Sequence, residues 1–158
     1  VYGKSKYAGE QLVSTLCRKY TIIRSSWVYG IGSDFVSRVL DAAEKGGELR
    51  VSANEISSPT SALELARAIR VFIERELYGV YHVTGTGRCT RFEFAKTILE
   101  YAGKSDQLTL LSREEAEDLR PMYSVLNNMM LRLDHVYEPK DWKVALKEYF
   151  DDLEGAKA

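Results

Sequence analysis

The chain has 158 residues, 45% of them hydrophobic and 28% charged, with a formal net charge of −1. That composition supports one real hydrophobic core and offers no basic surface for nucleic acid or for an anionic membrane. Two cysteines, Cys17 and Cys89, are too few for a disulfide framework and lack CxxC spacing, so reduced thiols of a cytoplasmic protein are expected.

No apolar run approaches the roughly 20 residues of a membrane span, and there is no secretory signal segment. The chain begins without Met, in mid-pattern, which reads as a fragment. From Tyr2 to about Lys19, the residues Ala8, Leu12, Val13, Leu16, Cys17 and Tyr20 recur at helical spacing. Thr21–Arg24 is a short β-branched strand, and Ser25-Ser26 and Trp27–Gly30 follow it as a turn. Asp34 caps a helix whose Phe35, Val36, Val39, Leu40 and Ala43 form an apolar stripe, and Gly46-Gly47 stops it.

Leu49–Val51 predicts a brief strand, followed by a polar loop from Ser52 to Ser61. The next helix, Ala62–Leu77, is expected to turn Leu65, Ala66, Ile69, Phe72 and Ile73 inward. After Gly79 comes a strand at Val80–Thr84. Thr90-Arg91-Phe92-Glu93 has the capping-box form and opens a helix that ends at Gly103. A strand at Leu108–Leu111 leads into a second capping box, Ser112 with Glu115. A short helix around Asn128–Leu133 and a final one with Trp142, Ala145, Leu146, Tyr149, Phe150 and Leu153 on one face complete the order. Helices alternating with short strands predict an α/β chain with parallel pairing.

The first stretch, Val1–Glu10, carries the candidate chemistry. Tyr2 and Lys6 stand one helical turn apart on a common face, and an ammonium beside a phenol favours the phenolate. Other possible sites are weaker. Gly85-Thr86-Gly87-Arg88-Cys89-Thr90 lies between a strand and a helix but lacks the third glycine of a dinucleotide loop. His82 and His135 have no ligand partners at metal spacing, and no acidic cluster supports a metal site. Glu114, Glu115, Glu117 and Asp118 form a solvated helix face. Ser25 and Ser26 end a strand, where open α/β sheets bind ligands and where turn chemistry alone also places serines.

Tyr2-Gly3-Lys4-Ser5-Lys6 with Gly9-Glu10 resembles the YxxxK helix of extended short-chain dehydrogenases. More narrowly, Arg24-Ser25-Ser26-Trp27-Val28-Tyr29-Gly30 is similar to a stretch of the dTDP-4-dehydrorhamnose reductase family. Ser58-Pro59-Thr60, Tyr78–His82, Phe92–Ala95, Arg120-Pro121 with Ser124–Asn127, and Asp141-Trp142 continue that resemblance in order along almost the whole chain.

The resemblance implies the C-terminal part of a Rossmann-like doubly wound parallel sheet plus a small mixed α/β substrate-binding lobe. Residues 1–32 and 61–84 would belong to the nucleotide-binding domain, and 33–60 with 85–158 to the lobe. It implies hydride transfer from NADPH or NADH to the C4 keto group of a nucleotide-linked 4-keto-6-deoxy sugar, in dTDP-rhamnose biosynthesis. Tyr2 would be the general acid, and Lys6 would hold the nicotinamide ribose. Ser25 and Ser26 would lie beside the nicotinamide, and Trp27 over the sugar. Phe35, Asn54, Glu55, Pro59, Thr60, Arg120 and Ser124 would line the substrate side, with a homodimer possible for the full-length protein.

Two departures from the family pattern stand out: Asp34 where it has asparagine, and Asn54-Glu55-Ile56-Ser57 where it has Asp-Gln-x-Gly. A carboxylate at position 34 is expected to repel a diphosphate-sugar. The glycine-rich nucleotide loop is absent, so this stretch alone is expected to be inactive and marginally stable or self-associating. Two other outcomes stay open. One is a non-catalytic relative such as a regulatory subunit of methionine adenosyltransferase, and the other is another extended dehydrogenase such as a sugar-nucleotide epimerase.

Overall fold

Local side-chain caps mark the start of three of the described helices. A computed structural model describes residues 1–113 and 121–155. Helix α1 spans Tyr2–Leu16 and is followed by β1 (Thr21–Arg24) and β2 (Val28–Tyr29). Helix α2 (Phe35–Lys45) starts at Asp34, whose carboxylate accepts from Ser37 N at 3.0 Å while Ser37 Oγ accepts from Asp34 N at 2.9 Å. Strands β3 (Glu48–Ser52), β4 (Ile56–Ser57) and β5 (Thr60–Ser61) lead to α3 (Ala62–Glu74) and β6 (Gly79–His82). Strand β7 (Cys89–Thr90) runs into α4 (Arg91–Tyr101), where Thr90 and Glu93 form the expected capping box. Strand β8 (Thr109–Arg113), α5 (Met129–Leu133) and α6 (Trp142–Gly155) complete the chain.

The fold is mixed α/β. The described strands form four two-stranded sheets: β1–β6, β2–β5 and β3–β8 are parallel, and β4–β7 is antiparallel. Each parallel pair joins strands separated by helices, as crossover connections require. The buried residues fall into two clusters. One joins α2, β3, α4 and α6 through Val36, Val39, Val51, Phe94, Ile98 and Leu146. The other joins α3, β6 and α5 through Ala68, Phe72, Tyr81, Leu131 and Val136. No helix among the described residues is long and apolar enough to cross a membrane.

Several local expectations need correction. The turn at Trp27–Gly30 contains β2, and the polar loop from Ser52 to Ser61 contains β4 and β5, because Val28 and Tyr29 pair with Thr60 and Ser61. Helix α3 buries Glu64, Ala68 and Phe72, whereas Ala66, Ile69 and Ile73 are exposed. Ser112 lies inside β8; its proposed partner Glu115, the acidic stretch around it and Arg120 are outside the described residues. In α1 no residue is buried, and Leu12 and Leu16 are exposed. A bidentate pair, Arg24 Nε to Glu10 Oε1 at 2.8 Å and Nη2 to Oε2 at 2.5 Å, ties this helix to β1.

Glu64 shows why the α3 face was misassigned. It is 5% exposed, yet it accepts from Arg67 Nη1 at 2.6 Å, Tyr137 Oη at 2.9 Å and Lys140 N at 3.4 Å. Burial raises its carboxyl, and the Arg67, Tyr137 and Lys140 hydrogen bonds outweigh that and hold it below the ordinary 4.5. A lowered folded value means stability that is present above the unfolded value and lost as pH falls through the folded one. Glu64→Gln is expected to cost about 1–3 kcal/mol near neutral pH, the range for a charged buried hydrogen-bonding group. Urea unfolding across the acid range should also show a shallower acid limb for the variant; identical limbs would contradict this assignment.

Candidate active site

Helical geometry places Tyr2 and Lys6 together, as their spacing requires. Lys6 Nζ sits 5.6 Å from the centroid of the Tyr2 ring, and Tyr2 as a residue is 77% exposed. Both groups are thus paired on an open face of α1, available to a ligand arriving from outside the described chain.

Strand β1 delivers the next two candidates at its C-terminal end. Ser26 Oγ donates to Ser58 O at 2.8 Å, so its hydroxyl closes a turn against the loop before β5. Ser25 Oγ is buried and has no hydrogen-bond partner among the described residues. An orphaned hydroxyl is costly unless something else satisfies it. Trp27 follows with φ of +43°, a left-handed backbone that a bulky residue adopts only under constraint. Two contacts supply that constraint: Thr60 N donates to Trp27 O at 3.2 Å, and the indole stacks on Phe94 with centroids 6.3 Å apart.

On the lobe side Phe35 also stacks on Phe94, at 5.6 Å, so Trp27 and Phe35 share one aromatic base. Asn54 and Glu55 turn just after β3, with Ser52 Oγ accepting from both backbone amides at 3.2 and 3.1 Å. Glu55 is buried and Asn54 exposed. Pro59 and Thr60 lie in the interior: Thr60 Oγ1 donates to Ser58 O and accepts from Gly85 N, so its hydroxyl serves the fold. Ser124 is half-buried, its amide donating to Ile56 O at 2.9 Å and its carbonyl accepting from Ser57 Oγ at 3.1 Å.

The Asp34 carboxylate accepts from Gly30 N at 2.7 Å and from Ser37 N at 3.0 Å. It is turned into the start of α2 as its cap, with a local structural role.

One residue that sequence spacing did not single out is Arg91. Its guanidinium carbon lies 3.6 Å above the Trp27 ring centroid and 4.6 Å from that of Phe35. A signal existed: a basic residue in the first turn of a helix opposes the helix dipole, so Arg91 directly after the Thr90 cap called for a reason.

The remaining candidates resolve as structure. His82 Nδ1 is 3.2 Å from Asn127 O. Cys89 is buried, and burial pushes its thiol up to about 12, far from reactive thiolate behaviour. No group of three or more His, Cys, Asp or Glu among the described residues could hold a metal ion.

Comparison with known proteins adds independent information. The family model described as the RmlD substrate binding domain matches residues 1–154. The chain is 40% identical over 160 residues to the spore coat polysaccharide biosynthesis protein SpsK of Bacillus subtilis (strain 168), covering 99% of this chain and 56% of that protein. It is 32% identical over 167 residues to the dTDP-4-dehydrorhamnose reductase of Escherichia coli (strain K12), covering 97% of this chain and 56% of that one. A crystal structure of dTDP-4-dehydrorhamnose reductase from Bacillus anthracis str. Ames, in complex with NADP, superposes with a TM-score of 0.90 at 40% identity, covering 96% of this chain and 54% of that one. The chain therefore spans about half the length of the curated relatives it matches.

Proposed function

The chain belongs to the RmlD substrate-binding-domain family, and from that membership we propose that it forms the half of an NAD(P)H-dependent sugar-nucleotide reductase that carries the catalytic tyrosine. The reaction is reduction of the C4 keto group of a nucleotide-linked 4-keto-6-deoxy sugar. In this reading residues 1–32 and 61–84 belong with the nucleotide-binding side, and 33–60 with 85–158 form the substrate side. The two separate buried clusters support such a division, although Tyr29, Leu131 and Val136 cross it.

The observation that carries the proposal is the Tyr2–Lys6 pair, one turn apart with the ammonium 5.6 Å from the phenol ring. The nicotinamide cofactor fits the residues present, because the buried Ser25 hydroxyl has no hydrogen-bond partner among the described residues. When bound, it supplies a hydride to the carbonyl carbon.

As charge builds on the carbonyl oxygen, the Tyr2 Oη–H bond breaks and its proton moves to that oxygen, giving the alcohol. The Lys6 ammonium offsets the negative charge left on the phenol oxygen, and solvent returns the proton. With a cofactor bound, Lys6 would also hold its ribose. Trp27 and Phe35, on their common Phe94 base, provide the apolar wall that orients the sugar and keeps water from the carbonyl. Asn54, Glu55 and Ser124 would line the substrate side beyond it. Thr60 supports that wall from the interior, its amide donating to Trp27 O at 3.2 Å, and Pro59 would line the substrate side; Arg120, outside the described residues, is assigned to that side by the family resemblance alone.

The test is oxidation of NADPH and NADH by the full-length protein, followed by absorbance, with a dTDP-linked 4-keto-6-deoxy sugar as substrate. Sugar-dependent oxidation with formation of the 4-hydroxy product is expected. No oxidation with either cofactor above the sugar-free background would overturn the assignment and favour a non-catalytic binding role.

A further inference from the structure

Beside Trp27 is a cavity of about 100 Å³ whose lining includes Phe35, Arg38, Arg50, Arg91 and Arg113. The four arginines come from four elements, α2, β3, α4 and β8, so their convergence is a product of the tertiary fold. Among the described residues, the one acidic side chain in the lining is Glu55. Arg91 also fastens the wall of the cavity, since its backbone amide donates to Glu55 O at 2.9 Å.

The manner in which Arg91 is held matters. Its guanidinium carbon is 3.6 Å above the Trp27 ring centroid and 4.6 Å from the Phe35 centroid, and Arg38 approaches Phe35 from 5.7 Å. Contact with an aromatic face satisfies the cationic plane without using its N–H donors, which lie in that plane and bind oxyanions in pairs. Arg91 and Arg113 each make a further contact, so an incoming anion would exchange partners with them.

We propose that Arg91 is a specificity-determining residue of the substrate site. It takes the diphosphate of the nucleotide-linked sugar in the arginine-lined cavity while its plane rests on Trp27. This inference rests on the reductase reading and names the group that would select a nucleoside diphosphate over an uncharged sugar. The indole reports the event, because a diphosphate bound to Arg91 perturbs a ring under 4 Å from the guanidinium carbon.

The test uses the full-length protein with dTDP and inorganic pyrophosphate as probes, titrated by calorimetry and tryptophan fluorescence. Arg91→Gln is expected to weaken dTDP about 10- to 100-fold, the range for losing a charge-assisted bidentate pair. Arg91→Lys should recover little of it, because an ammonium has neither fork nor stacking plane. Arg38→Gln, at an exposed position, should weaken dTDP roughly 2- to 5-fold through the local field alone. Pyrophosphate should follow the same order with weaker binding, and NADPH affinity should stay unchanged, so that a lower thermal midpoint from the lost stacking is told apart from the loss of anion binding.

If dTDP binds all variants within twofold of wild type, or does not bind wild type at all, the proposal is overturned. Reduction of the sugar with an unchanged KM in Arg91→Gln would sink the arginine assignment and leave the reductase reading standing. Arg91-dependent binding of dTDP with no turnover of any 4-keto sugar would do the reverse.

Discussion

Replacing Tyr2 with phenylalanine is expected to lower kcat of the full-length protein by about 10²- to 10⁴-fold, the contribution typical of a positioned general acid. KM for the sugar nucleotide should move little, because the phenol proton is needed only as the carbonyl oxygen gains charge. Equal losses in kcat and kcat/KM are the signature of an interaction made in the transition state alone. The ring is open to solvent and Lys6 is its cation partner, so the substitution removes one oxygen without disturbing a core. Steady-state kinetics with NADPH and a dTDP-linked 4-keto sugar decide the matter. Turnover within a few-fold of wild type would mean that the proton comes from another group.

Phe94→Ala should have the largest effect on stability, about 3–5 kcal/mol by analogy with buried phenylalanine truncations. Phe94 is 1% exposed and is the ring on which four others converge: Trp27 at 6.3 Å, Tyr29 at 5.6 Å, Phe35 at 5.6 Å and Trp142 at 5.9 Å. Such pairs contribute roughly 0.5–1.5 kcal/mol each beyond the area they bury. Truncation therefore opens a cavity at the junction of α2, α4, α6 and β2. Chemical denaturation should show the midpoint shift, and a loss below about 1 kcal/mol would mean that the cluster collapses to refill the space. Because Trp27 and Phe35 lose their base together, KM for the sugar nucleotide should rise in molecules that remain folded.

What could be seen in the sequence divides along a physical line. Helices α2 and α4 were legible because their caps are local: Asp34 with Ser37 and Thr90 with Glu93 each act over three residues. Tyr2 and Lys6 were legible for the same reason, since one turn of helix fixes their relation. The two-residue strands β2, β4 and β5 were not, because Val28 becomes a strand only by meeting Thr60 and Ile56 by meeting Thr90. The buried face of α3 was missed since hydrophobicity cannot foresee that Tyr137 and Lys140 will satisfy Glu64 inside. Arg91 escaped for a related reason: its meaning depends on Trp27 and Phe35, more than fifty residues earlier in the chain.

The segment Ser57–Ser61 is buried throughout although four of its five residues carry hydroxyls. Ser57 Oγ reaches a carbonyl 67 residues away, and Ser58 Oγ one 29 residues away. Where a cap such as Thr90–Glu93 can close as soon as its own turn forms, these bonds wait on the entropy of bringing remote stretches together. The seam is consequently expected to consolidate late in folding, after the capped helices, which the order of amide protection during refolding would check.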